Sequence, residues 1–195
     1  FQNSTLRNAA FGYFGHMWEL YAFWAFTPII IATFLKLNPE VRLNISLLSF
    51  IVIAIGSIAC VVGGYLARKN GEKQVARFSL LISCCCCLLS PLVFALASVP
   101  VFIGFLLIWG MAVVADSPLF STLVAQNAPA ESKATALTIV NCIGFAITIV
   151  SIQLVSLLSI YIYAQYLYMV LALGPLVGLV FLFSNKKQTL KKQAV

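Results

Sequence analysis

The sequence predicts an all-α integral membrane protein, a bundle of six transmembrane helices, and three observations carry that expectation. Its 195 residues are 62% hydrophobic and 9% charged, with mean hydropathy +1.03, whereas a soluble domain carries about 25% charged residues. The apolar residues gather into runs long enough to cross a bilayer, which takes roughly 20 residues of helix because no water at depth satisfies backbone N–H and C=O groups. The net charge of +7 comes from basic residues clustered between those runs and in the tail. That placement argues for membrane orientation and against a nucleic-acid-binding face.

Read against the polar breaks, the apolar runs place spans at 8–35, 45–67, 75–97, 101–126, 134–160 and 163–184, as one six-helix membrane domain. The breaks are short: 36–44 holds Asn38-Pro39, 68–74 holds Asn70-Gly71, 127–133 holds Ala128-Pro129, and 98–100 is hardly a loop. Consecutive spans are therefore expected to pack antiparallel. With six spans both ends share one side, which collects Arg7, Arg68, Lys69, Lys73, Arg77, Lys133, Lys186, Lys187, Lys191 and Lys192, against Lys36 and Arg42 on the other. By the positive-inside rule both ends are expected to be cytoplasmic. The chain starts at Phe1, and the stretch to Arg7 has no signal-peptide pattern, so the expectation is a piece of a longer chain or a processed product.

In the first span, which runs outward, Gly12, Gly15, His16, Glu19, Ala22, Phe23 and Phe26 share one helical face and Tyr21 points away. Glu19 falls near mid-membrane. An ionisable side chain there costs at least about 2.5–3.5 kcal/mol, so it is expected to face a bundle interior or a wet cavity. Glu19 can carry a proton, and His16, one turn away, can share or relay it; the alternative is a hydrogen-bonded pair that fixes packing. The H-x-x-E pattern of His16 and Glu19 also suits two metal ligands, but the chain has no second His and no nearby acid to complete a set. No metal or cofactor is expected.

The third span contains the run Cys84 to Cys87. Four consecutive helical residues point around most of the helix and cannot converge on one ion, so these cysteines read as small apolar packing with free thiols. In the fourth span Trp109, Ala112, Val113, Asp116, Leu119, Phe120 and Leu123 share a face, a possible second cavity wall, with the Trp109 indole about two turns deeper than Asp116. Pro118 removes a backbone donor and frees the carbonyl four residues earlier, which predicts a kink. Asp116 then has two readings, a gate at the cytoplasmic mouth or a structural partner of the Arg68 loop. In the fifth span Thr138, Asn141, Gly144, Thr148 and Ser151 recur at three- and four-residue spacing, the pattern of close helix packing, and Asn141 is the candidate among them for ligand contact.

Between the second and third spans the chain reads Gly64-Tyr65-Leu66-Ala67-Arg68-Lys69-Asn70-Gly71-Glu72-Lys73. This resembles the G-x-L-A-D-R-x-G-R-K loop of the major facilitator superfamily, although Arg68 stands at the pattern's aspartate and Glu72 at its second arginine. A degraded copy is usual in the second half of such proteins. Gly12 to Tyr21 is similar to the start of the seventh helix of bacterial members; Asp116-Ser117-Pro118 with Phe120-Ser121, and Ala136-Leu137-Thr138 with Gly144-Phe145, are similar to their tenth and eleventh helices.

The resemblance implies a carboxyl-terminal six-helix half that pairs with an amino-terminal half of the same transporter, in a bacterial inner membrane. Two such halves enclose a path for a small-molecule substrate. His16, Glu19, Trp109 and Asn141 would belong to the substrate or proton pathway, and Asp116, Gly64, Arg68 and Gly71 to gating. The expected function is secondary active transport by alternating access, coupled to protons through Glu19. The rival is a six-helix scaffold or partner subunit without a solute path, in which His16 and Glu19 contact another protein. An enzyme is not expected, since the scattered acids and single His offer no paired nucleophile and base.

Overall fold

A computed structural model of the chain describes residues 3–184. Helix α1 covers Ser4–Leu37, α2 Ile45–Asn70 and α3 Glu72–Leu96. The fourth span is made of two helices, α4 (Val99–Ala115) and α5 (Ser117–Asn127), and the fifth is α6 (Lys133–Leu158). The sixth combines α7 (Ala164–Leu167), a 3-10 stretch at Tyr168–Ala172 and α8 (Leu173–Ser184). All six spans are long and apolar enough to cross a membrane, and no strand occurs among the described residues. Lys186, Lys187, Lys191 and Lys192, which entered the charge comparison, lie outside the described residues.

Polar side chains start two of the helices: Asn3 accepts the Thr5 N–H at 2.9 Å, and Asn44 accepts that of Leu47 at 3.0 Å. The break expected at 68–74 is much shorter than its polarity suggests. Helix α2 runs through Arg68, Lys69 and Asn70, and α3 resumes at Glu72, so the turn is Gly71 alone. Arg, Lys, Glu and Gln are good helix formers, so charge here marks a helix end at the interface and not a loop. Gly71 has φ 85°, the single positive φ among the described residues, and its N–H bonds Ala67 O at 2.8 Å. A side chain there would be strained.

Prolines lie within four of the spans, and at Pro91 and Pro118 a side chain reaches the carbonyl left without its helical donor, as burial in an apolar medium favours. Thr27, just before Pro28, donates to Phe23 O at 2.7 Å. Ser90, just before Pro91, donates to Cys87 O at 2.8 Å, the carbonyl that the proline leaves without its helical donor. Pro118 splits the fourth span at Asp116, in line with the kink expected there. The carbonyl that it frees, Val114 O, accepts the Cys60 thiol of α2 at 3.4 Å.

Helix α1 is the hub, packed against α8, α6 and α5, while α2 lies along α4. Close backbone approaches set these seams, among them that of Gly110 on α4 to Val52 O on α2. Gly15 and Gly174 pack so tightly that a Cβ on either would strike the other's backbone, and a Cβ on Gly63 would lie 2.7 Å from Ala115 O, beside the break. Helices α2 and α6 are the least covered, with 28% and 22% of their most apolar windows buried against 44% or more for the other spans. Their outer faces are therefore left for lipid or for another protein surface.

Two buried carboxylates as the candidate functional site

Every residue of the face read on α1, from Gly12 to Phe26, is buried, and so is every residue of the face on α4 and α5, from Trp109 to Leu123. The two faces meet inside the bundle and bring two acids with them. Glu19 and Asp116 are each 1% exposed, and among the described residues neither pairs with a Lys or Arg.

Glu19 sits in a cage of uncharged donors. Its Oε1 accepts the Trp109 indole Nε1–H at 2.8 Å and the Cys87 thiol at 3.2 Å; its Oε2 accepts the Ser83 hydroxyl at 2.8 Å. Trp109, wholly buried, is fixed by Phe23 and Phe105, with ring centroids at 4.7 and 5.5 Å. The Ser83 hydroxyl also lies 3.2 Å from Leu80 O, so its single hydrogen has two acceptors within reach.

Asp116 is held differently. His16 Nδ1 lies 2.9 Å from Asp116 Oδ1, and His16 Nε2 lies 2.8 Å from the Ser117 hydroxyl. A contact of that length between ring nitrogen and carboxylate has a hydrogen between them. The ring therefore grips both residues at the break of the fourth span, packed against Phe120 at 5.6 Å and Tyr13 at 6.2 Å. Asp116 Oδ2 is buried without a hydrogen-bond partner.

The predicted site residues thus divide. His16 and Glu19 share a face of α1 but turn to different partners, so the expected relay between them is not a direct contact. Of the two readings of Asp116, a partnership with the Arg68 loop is replaced by one with His16; Arg68 is exposed, its guanidinium 5.9 Å above the Tyr65 ring. Trp109 joins Glu19. Asn141 does not join either group: it is half-buried on α6 and its side chain makes no hydrogen bond among the described residues. The neighbouring stripe of Gly144, Thr148 and Ser151 is buried, and a Cβ on Gly144 would lie 2.6 Å from the Tyr13 ring. Gly71 makes the α2–α3 turn, whereas a Cβ on Gly64 would meet nothing within 4 Å.

A cavity wall was expected for both faces, and the structure closes them in packed interior. A cleft of about 510 Å³ opens elsewhere, between the start of α1 (Asn3, Leu6) and α6 (Thr135, Ile139). No group of three or more His, Cys, Asp or Glu side chains among the described residues is placed to hold a metal ion.

Sequence reasoning missed Ser83, Cys87 and the role of Ser117. A signal for the first two was present: Ser79, Ser83, Cys87 and Ser90 recur at helical spacing and all are buried. The same pattern was read on the fifth span, but on the third the cysteine run drew attention to composition in place of spacing. The cysteines of that run are free and, except for Cys85, buried, but Cys87 is also a donor to Glu19.

The family pattern described as Major Facilitator Superfamily matches residues 9–194. No curated protein matches the chain.

Proposed function

Because the chain belongs to the Major Facilitator Superfamily, we infer that it is the carboxyl-terminal half of a secondary active transporter, one that moves a small solute by alternating access and takes up a proton at Glu19. The observation that carries the proton reading is the Ser83 hydroxyl between Glu19 Oε2 and Leu80 O. When Glu19 is ionised, Ser83 donates to it. When Glu19 holds a proton, it donates to Ser83 Oγ, and the serine hydrogen turns to Leu80 O. Both charge states keep their hydrogen bonds, so neither leaves an orphaned polar atom in the bilayer interior.

The termini are assigned to the cytoplasmic side on the distribution of Arg and Lys, and the sparsely covered faces of α2 and α6 suit contact with an amino-terminal half. A scaffold without a solute path would direct His16 and Glu19 at another protein. Their enclosure within this bundle favours the transport reading.

Uptake by the full-length protein in proteoliposomes, with and without a pH gradient, tests this. Glu19→Gln is expected to abolish gradient-driven accumulation while leaving exchange of solute across the membrane. Accumulation that survives the substitution would remove Glu19 as the coupling group.

A further inference from the structure

The His16–Asp116 pair is separate from the Glu19 cage, and its position at the helix break gives it a different task. Asp116 ends α4 and its carbonyl accepts the Phe120 N–H at 3.0 Å, while Ser117 opens α5. One imidazole therefore ties α1 to both sides of the junction.

The groups facing this pair can be named. Helix α1 contributes Tyr13 and Glu19, the latter near enough to feel the charge of Asp116. Helix α2 contributes Cys60, which lies in the same field and bonds Val114 O. Helix α3 contributes Cys87, already committed to Glu19. No Lys or Arg among the described residues forms an ion pair with Asp116. Among the described residues His16 is the group placed to compensate a charge on Asp116.

We propose that His16, Asp116 and Ser117 form a second proton-binding site, a clasp that holds the break of the fourth span closed when His16 carries a proton on both nitrogens. With one proton, Nδ1–H faces Asp116, Nε2 accepts from Ser117, and the pair has a net negative charge. A proton arriving from water at Nε2 leaves both contacts in place: Nε2–H now donates to Ser117 Oγ, and the pair becomes neutral. The neutral form suits an interior in which Asp116 Oδ2 has no partner. Release of that proton to water leaves an uncompensated buried charge beside the break. Opening of the junction between α4 and α5 relieves it by letting water reach Oδ2. The clasp rests on the transport reading for its purpose, which is to tie movement of α5 to a proton other than the one on Glu19.

The test uses the full-length protein in lipid nanodiscs and needs no solute. Histidine labelled with nitrogen-15 is followed by NMR between about pH 5 and pH 8, with the His16 signal assigned by its loss in His16→Gln. Deuterium exchange of residues 113–120 is followed in parallel, corrected for the intrinsic rate and referred to α3. The expected result is conversion of His16 from the doubly to the singly protonated ring, accompanied by a rise in exchange at the junction of about tenfold or more. Asp116→Asn and His16→Gln should each flatten the exchange response, and Glu19→Gln should retain it. A His16 ring that keeps one protonation state throughout would overturn the proposal, and so would an exchange response lost in Glu19→Gln but kept in Asp116→Asn. Failure of the transport reading would show instead as absent uptake with both signals intact.

Discussion

Two acids buried to the same degree, in the same bundle, are held in opposite ways. Glu19 has three uncharged donors from two helices, at least one of which can turn away to a second acceptor. Among the described residues Asp116 has one side-chain partner, and that partner is an imidazole, itself able to hold one proton or two. A cage of neutral donors lets a carboxyl group gain or lose a proton with little rearrangement, because the groups that bond it carry no charge of their own. A pair of titrating groups shares its protons, and the state of each depends on the other. The first arrangement suits a carrier of protons, the second a detector of them.

The sharpest way to break this comparison is to remove the single partner. His16→Ala leaves Asp116 buried and alone, and should cost about 3–5 kcal/mol, the usual loss when half of a buried ion pair is removed. Detergent-titrated unfolding of the full-length protein in mixed micelles would measure it. Trp109→Phe removes one of several donors to Glu19 while keeping the aromatic packing, so the expected loss is smaller, about 1–2 kcal/mol in the same titration. If Trp109→Phe proved the more damaging of the two, the cage and not the clasp would be the rigid element.

Cys87→Ala sharpens the comparison further. A thiol is a weak donor, and a loss of about 0.6 kcal/mol, the average for side-chain hydrogen bonds within membranes, is expected. Asn141→Ala should have the smallest effect, within about 0.5 kcal/mol, since no hydrogen bond is lost. A fall in uptake with unchanged stability would make Asn141 a solute contact, and unchanged uptake would leave it a bystander of the α1–α6 seam.

Most of the fold was legible because a bilayer leaves few choices: hydropathy placed all six spans, with boundaries within four residues of the helices described. The two faces carrying His16, Glu19, Trp109 and Asp116 were legible for the same reason, since helical periodicity decides which residues share a direction. What those faces meet was not legible. Periodicity ranks residues around one axis and says nothing of how far that axis is turned toward its neighbours. Whether Glu19 lined an open path or met Ser83 and Cys87 depended on the rotation of α3, which its packing against α4 and the sixth span fixes only in three dimensions. The reach of α2 to Asn70 was hidden by a simpler confusion, in which charge was read as loop.

The one-residue turn at Gly71 bears on how such a bundle enters a membrane during synthesis. Helices α2 and α3 are separated by a single residue, and Arg68, Lys69 and Lys73 cluster around it. The next connection, Ala97 and Ser98 between α3 and α4, carries no charge. A chain threaded from the side that keeps the basic turn moves only this neutral corner through the hydrocarbon to lay down the third and fourth spans. In the proposed orientation, charges that would be costly to drag across stay on the side from which the chain is threaded. Two spans joined so tightly have no slack to insert in separate steps, and α2 and α3 should arrive as one hairpin.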